Sequence, residues 1–479
     1  MSTISRGFVW SAIERFTVQG IGFLLSILLA RIVSPSSYGL IVMIQVFMSF
    51  SQLFIDAGFT SALIQKQDRT EDDYCTTFIF NCGVAIVLYF LLFIAAPFIA
   101  SFYKEPLLVP ITRLVALNLI FSSLSIVQRA RLTVDLDFKT QSKASIWAVC
   151  ISGIVGIICA YSGMEVWALV IQGLLSQIIT SFALMYYSRW KPKLRFSKES
   201  FMKLFNYGSK LLVNNILTSA SIQIYSLVIG KRFSSADLAF YNRGFTLSQF
   251  PSTNIADVLY RIIFPVLSKF QNDRSQMICA YFRYLHFSNF IILPLMGLLI
   301  VLAPSLIEVV LTPKWVPAVK YIRIFSLNFM FYAWLQQSGC LIAAIGNTGL
   351  LLKAQIVKRI ISIIIIVCTI GFGIEVMCWG FVVGAFFETL INVYLDKKEL
   401  DVSITRQIKS LLDVVFSTAF ACLMAWLFIS LFDNVYFQLI GGGIVGFAVY
   451  VLLVFVLRMK ERKFFVDLFH GDFSFLKSN

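Results

Sequence analysis

The side chains of this sequence that could do chemistry are charged residues set in apolar surroundings. Arg15, Arg113, Arg243, Arg261, Lys320 and Arg323 lie in or at the ends of long hydrophobic runs, as do Glu14, Asp56, Asp257, Glu308 and Glu388. An ionisable group at membrane depth is costly and marks a substrate path, an ion site or a structural pair. The densest stripe falls in one run, 237–266, where Arg243 and Arg261 stand 18 positions apart. At about 100° per residue they share a helix face, with Asn254 about 20° and Asp257 about 40° away. Such a stripe extends about 27 Å along the axis, so it reads as a ladder of positive charge beside a passage. Such a ladder suits an anionic ligand. Asp257 and Arg261 are also an i,i+4 pair, equally placed to neutralise each other. Arg15 lies near the start of the first run and can snorkel to the interface. Asn214, Asn215 and Gln223 make another run polar; they could hydrogen-bond a sugar or bridge neighbouring helices. Asp56, Asp257 and Glu388 are the acids placed for coupling or gating.

These residues need elements to position them, and the composition says what kind. Of 479 residues, 58% are hydrophobic and 14% charged, with a mean hydropathy of +0.83. Soluble domains hold roughly 45–50% and 25%. The solvent for most of this chain is lipid. A net charge of +15 then reads first as loop charge on the cytoplasmic side. The nine Cys show no C-x-x-C spacing, and two His are too few for a histidine metal cluster, so neither a metal nor a cofactor is expected. No phosphate-binding loop, zinc-protease or serine-hydrolase motif occurs, and no enzyme is expected. The acids Glu71, Asp72 and Asp73 read as a solvated turn. Trp190 and Trp315 fall where an aromatic belt is expected.

Runs of about 20 apolar residues recur along the chain at 10–33, 38–63, 76–102, 108–130, 143–162, 165–187, 206–230, 237–266, 282–311, 317–345, 350–371, 374–395, 410–432 and 436–457. The fold class is therefore all-α integral membrane, with about fourteen transmembrane helices. Of the 40 Lys and Arg, the outer connections hold only Arg31, Lys104, Lys231, Arg232 and Lys314. The inner ones hold most of the rest, Lys353, Lys358 and Arg359 among them. That bias puts both termini in the cytoplasm.

The chain also repeats itself. Ala30 to Ser34 aligns with Gly230 to Ser234 at an offset of 200. Pro97, Pro106 and Pro110 meet Pro304, Pro313 and Pro317 at 207, in a chain with only 11 Pro. Gly163 to Val166 aligns with Gly373 to Val376 at 210. The register maps helices one to six onto seven to twelve as two parallel six-helix repeats, an arrangement of two-lobed transporters. We assign 1–190 to an N-terminal lobe, 191–203 to a basic cytoplasmic linker, 204–398 to a C-terminal lobe, 399–458 to two added helices and 459–479 to a cytoplasmic tail.

Several stretches then resemble a known family. Asp56-Ala57-Gly58-Phe59-Thr60-Ser61-Ala62-Leu63-Ile64-Gln65, followed by the acidic turn at Glu71, resembles the second helix and following loop of bacterial polysaccharide exporters. These are the Wzx-type flippases of the multidrug/oligosaccharidyl-lipid/polysaccharide superfamily. Ser34-Pro35-Ser36-Ser37-Tyr38-Gly39 and Leu238-Ala239-Phe240-Tyr241-Asn242-Arg243 resemble the outer turns of its two lobes. Arg131-Leu132-Thr133-Val134-Asp135-Leu136-Asp137-Phe138 is similar to a segment of the colanic-acid exporter branch, with Val134 where a basic residue is expected. The resemblance implies a MATE-like two-lobed fold in the bacterial inner membrane and a cationic central cavity. It implies an undecaprenyl-diphosphate-linked oligosaccharide as cargo, flipped to the outer leaflet by alternating access for O-antigen, capsule or exopolysaccharide assembly. Membrane lipids, a polysaccharide polymerase and chain-length machinery are the implied partners; nucleic acid is not. By this reading Arg15, Arg243 and Arg261 contact the diphosphate, and Asn214, Asn215 and Gln223 the sugars. The alternatives are a cation-coupled drug antiporter of the same fold, which would use Asp56, Asp257 or Glu388, and a membrane polymerase or ligase, for which the outer loops are too short.

Overall fold

Residues 19–271, 273–345, 348–400, 402–459 and 461 are described by a computed structural model. Among them every regular element is helical. Ten spans among the described residues are long and apolar enough to cross a bilayer, counting two broken ones as single spans. The chain divides into two compact units, Met1–Ala239 and Phe240–Asn479.

The first unit holds α1 (Gln19–Ile32), α2 (Pro35–Asp56), α3 (Phe59–Gln65), α4 (Glu71–Tyr103), α5 (Leu108–Val115), α6 (Leu117–Val134), α7 (Phe138–Tyr161), α8 (Val166–Ser188) and α9 (Lys198–Arg232). Its starts are built from capping chemistry. Ser34 caps α2, its Oγ accepting from the Ser37 amide, and Pro35 opens the helix, where its missing N–H costs nothing. Thr70 and Asp73 form a reciprocal capping box at α4, and Asp137 caps α7 through the Thr140 amide at 3.1 Å. In this unit α8 packs on α6 and α7, and α9 lies along α2, α3 and α4. Small residues permit the close crossings that packing in lipid requires: a methyl at Gly156 would meet Gln172 Cβ at 2.8 Å.

The second unit holds most of α10 (Ser235–Lys269), then α11 (Arg274–Val310), a 3-10 turn (Pro313–Ala318), α12 (Val319–Met330), α13 (Tyr332–Ile345), α14 (Thr348–Thr369), α15 (Ile374–Leu400), α16 (Ile404–Lys409), α17 (Leu412–Ser430) and α18 (Val435–Val456). Asp273 caps α11; hydrogen bonds donated by the Gln276 amide and the Ser275 hydroxyl hold its carboxyl below the usual range. Helix α11 is the centre of this unit, packing on α12, α17 and α18. Its Leu298 sits where a methyl at Gly446 of α18 would come within 2.4 Å. A buried cluster of Met277, Tyr281, Leu285, Cys340, Leu341 and Leu411 ties α11 to α13 and the segment after α16.

The six-helix repeat expected from the sequence and the compact units are different divisions. That repeat would have α9 open its second half; by packing, α9 belongs to the first unit.

Candidate functional site

A polar face runs down α2. Gln45, Ser49, Gln52 and Asp56 are spaced by four, three and four residues, which holds all four within about 60° of one another. Gln223 of α9 donates to Ser49 Oγ at 3.1 Å, and Ser122 of α6 donates to Gln52 Oε1 at 3.0 Å. Gln45 is exposed, as are Asn214 and Asn215 of α9. Apart from Asp56 these groups are neutral donors and acceptors, the chemistry that binds polyhydroxylated molecules without charge.

Asp56 closes the face because the helix stops there. Ala57 and Gly58 both take the left-handed conformation, at φ 44° and 75°, and Asp56 Oδ1 accepts from the Thr60 amide at 3.2 Å and from the Thr60 hydroxyl. The break lets α9 approach: a methyl on Gly208 would stand 2.5 Å from the Ala57 carbonyl oxygen.

The acidic turn that follows is solvated only in part: Glu71 and Asp72 are exposed, as expected from its composition, and Asp73 is not. Asp73 is fully buried and pairs with Lys66 at 2.6 Å. Its Oδ2 also accepts from the Thr70 amide at 2.8 Å. Arg69 donates to the carbonyls of Leu63 and Ile64, at 2.7 and 3.1 Å, satisfying the end of α3. Glu71 accepts from Trp190 Nε1 at 3.0 Å and lies 3.8 Å from Arg131, whose guanidinium also faces the Tyr74 and Trp190 rings. Trp190 is therefore a buried anchor, and no belt residue. So is Trp315, fully buried.

In the second unit the α10 stripe divides by environment. Arg243 is only 7% exposed, its guanidinium 5.1 Å from the centre of the Trp315 ring. Asn254 turns onto its own helix, donating to the Phe250 carbonyl at 2.7 Å. Gln336 of α13 donates to Asp257 at 3.5 Å. Arg261 is exposed and, among the described residues, makes no hydrogen bond or ion pair, so the i,i+4 pair with Asp257 does not form. The intervening face, Gly244, Ser248 and Ser252, packs on α12, with Ser252 Oγ donating to the Phe329 carbonyl at 2.9 Å. Arg15 lies outside the described residues.

Glu388 belongs to a second stripe. On α15, Glu388, Asn392 and Asp396 follow at four-residue steps. Ser362 of α14 donates to Glu388 at 3.5 Å, and Lys358 of α14 to Asn392 Oδ1 at 2.5 Å. Asp396 is fully buried and accepts from Tyr281 and Ser338, at 2.9 and 2.7 Å. Lys358 counts as an inner loop charge by its place in sequence; it is in fact a buried residue well inside α14.

The remaining basic residues of the hydrophobic runs are anchored locally. Arg113 lies 4.3 Å from the Phe93 ring centre, Lys320 is 3.8 Å from Glu375, and Arg323 donates to the Ile300 carbonyl at 3.2 Å. Glu165 accepts from the Ser34 amide and from the hydroxyls of Ser34 and Ser37, at 3.1, 2.8 and 3.0 Å.

Reading the sequence for charges missed Gln45, Ser49 and Gln52, which are neutral. The signal was present as polar residues at 4–3–4 spacing in an apolar run.

The family model described as "Polysaccharide biosynthesis protein" matches residues 28–320. The lipopolysaccharide biosynthesis protein WzxC of Escherichia coli (strain K12) is 22% identical over 399 residues, 82% of this chain and 80% of that protein. The succinoglycan biosynthesis transport protein ExoT of Rhizobium meliloti is 21% identical over 484 residues, 97% of this chain and 95% of that protein. Among solved structures, the lipid II flippase MurJ in an inward closed conformation superposes with a TM-score of 0.78 at 15% identity, covering 95% of this chain and all of that one. An inward-facing MATE multidrug transporter gives 0.61 at 13% identity, over 82% of this chain and 98% of its own. A multi-pass helical membrane fold of the MurJ and MATE type, a family model spanning most of the chain and relatives in polysaccharide assembly lead to one assignment: the chain belongs to the polysaccharide biosynthesis protein family.

Proposed function

We propose that this protein is a flippase that carries an undecaprenyl-diphosphate-linked oligosaccharide repeat unit from the cytoplasmic to the outer leaflet of the inner membrane, for surface polysaccharide assembly. It is not an enzyme in this reading; no bond of the cargo changes. The observation that carries the proposal is the neutral polar face of α2, Gln45 to Gln52, with Gln223 beside it, in a chain whose fold resembles that of a lipid II flippase. A sugar headgroup leaving water needs replacement hydrogen bonds, and such a face offers them. The lipid tail stays in the bilayer.

In this reading Gln223, Asn214 and Asn215 contact sugars. Arg261, exposed and uncommitted, contacts the diphosphate, together with Arg15; Arg243, buried over Trp315, steers the headgroup by its field. Asp56, Asp257 and Glu388 serve gating or coupling. Two parallel six-helix halves work by alternating access, with helices α17 and α18 appended, both termini in the cytoplasm and about fourteen spans. Local parallels support the duplication: Gly163 and Gly373 both take positive φ, 78° and 99°, just ahead of α8 and α15. A polysaccharide polymerase and its chain-length machinery are the partners that would receive the product.

The test is deletion of the gene in the native host, with lipid-linked oligosaccharides extracted and their leaflet probed. The expected result is a diphosphate-linked repeat unit held on the cytoplasmic leaflet and surface polysaccharide lost. Unchanged glycolipids with altered drug sensitivity would overturn the proposal in favour of an antiporter.

A further inference from the structure

Lys358 is the most unusual charge in the second unit. It is 6% exposed, ten residues into α14, or about 15 Å from the start of that helix. Its hydrogen bond goes to a neutral amide, Asn392 Oδ1, at 2.5 Å. No carboxylate among the described residues lies within ion-pair distance of it. An ammonium so placed is costly without a charged partner. Yet two carboxylates stand one helical turn to either side of Asn392 on the same face of α15, Glu388 and Asp396. Four residues of helix rise about 6 Å, within the swing of a lysine on its four-carbon stem.

The surroundings supply few other charges. From α15 the groups whose charge acts on Lys358 are Glu388 and Asp396, and from α14 itself Arg359. Helix α13, the other element packed on α14, has no charged residue. Asp396 in turn is held by Tyr281 of α11 and Ser338 of α13, and its Oδ1 is buried without a hydrogen-bond partner among the described residues. Glu388 has one weak donor, Ser362. The result is a buried amine between two incompletely satisfied carboxylates, resting on the amide that separates them.

We propose that Lys358, Glu388 and Asp396 form a proton-binding site, with Lys358 as the group that takes up and releases the proton. In loading, the amine lone pair of Lys358 forms an N–H bond as an O–H bond of hydronium breaks, leaving water. The charged amine then leaves Asn392 for a flanking carboxylate. Unloading reverses both steps and returns the amine to Asn392. The proton binding stands on this geometry alone; its use to drive transport rests on the flippase reading above.

The experiment measures proton uptake by the purified full-length protein in lipid nanodiscs, with a pH dye in weakly buffered solution. Wild type should show a titration step that Lys358→Met lacks and Glu388→Gln shifts. A Lys358→Met protein that melts like wild type and keeps the step overturns the proposal. Should that variant not fold, infrared difference spectra of wild type across the step replace it: carboxyl and amine bands should change together, and spectra without a carboxyl change overturn the proposal. In the native host, permanently charged Lys358→Arg should lower polysaccharide export about tenfold, the scale of a lost coupling between sites, and flatten its dependence on external pH. A wild type that takes up the proton but moves no lipid-linked oligosaccharide leaves the site standing and removes the flippase reading. Normal flipping with an unchanged titration in Lys358→Met does the reverse.

Discussion

Gly208 of α9 and Gly58 between α2 and α3 meet backbone to backbone: a methyl on Gly58 would lie 2.5 Å from the Gly208 carbonyl oxygen. Neither neighbour is a side chain that can turn aside. Gly208→Ala should therefore destabilise the protein by about 1–3 kcal/mol, the usual cost of overpacking, lowering the melting temperature of the purified protein. Gly58→Ala should cost more, because Gly58 also has φ 75°. A Gly208→Ala protein that melts with wild type would show that α9 stands further off than the structure has it.

The Lys66–Asp73 pair offers a different kind of test. Asp73 is fully buried and Lys66 mostly so. Lys66→Met leaves a buried carboxylate without its cation, which typically costs about 3–5 kcal/mol. Replacing both, as Lys66→Met with Asp73→Leu, should recover part of that loss, although the capping box at α4 goes with it. Melting temperatures of the single and double variants read the difference; equal melting by both would deny the pair its role.

The α2 face should matter to transport more than to stability. Gln52→Leu removes the acceptor of the Ser122 hydroxyl, which also has the Leu119 carbonyl at 2.9 Å as an alternative. Stability should change by less than about 1 kcal/mol. Surface polysaccharide should fall while the protein remains in the membrane at wild-type amount. Ser49→Val, which takes the acceptor from Gln223, should act in the same direction. Full export by the double variant would remove the α2 face from the cargo path.

The two arginines of α10 should behave differently. Arg261 is exposed, so Arg261→Gln should leave melting unchanged and lower export. Arg243 stacks over a buried Trp315 ring, a cation–π contact worth roughly 1–2 kcal/mol when desolvated. Arg243→Gln should lower melting and export together. Wild-type export by the two variants combined would exclude both from headgroup binding.

How much of this was legible in the sequence depends on whether the physics is local. Membrane residence follows from composition, because 58% hydrophobic residues choose their own solvent. The capping residues Ser34, Thr70 and Asp137 carry their signal within four residues. Lys358 did not, because a tally of loop charge takes a lysine at the start of an apolar run as solvated. Its partner Asn392 is 34 residues away, and only the pairing of α14 with α15 reveals it. Asp73 was misread for the same reason: three acids in a row look like a solvated turn until Lys66 folds over one of them. Trp190 looked like an interfacial ring until Glu71, 119 residues earlier, supplied its acceptor. The α10 stripe is legible only as far as periodicity goes, which gives a face but not what covers it.

The carboxylate of Glu165 completes the corner between α1 and α2 from 131 residues downstream. A ribosome adding about 5–20 residues per second delivers it on the order of ten seconds after Ser34. Through that interval the donors of Ser34 and Ser37 have no protein carboxylate and stay with water. The first hairpin can enter the bilayer, but its corner gains its carboxylate only when Glu165, at the start of α8, arrives.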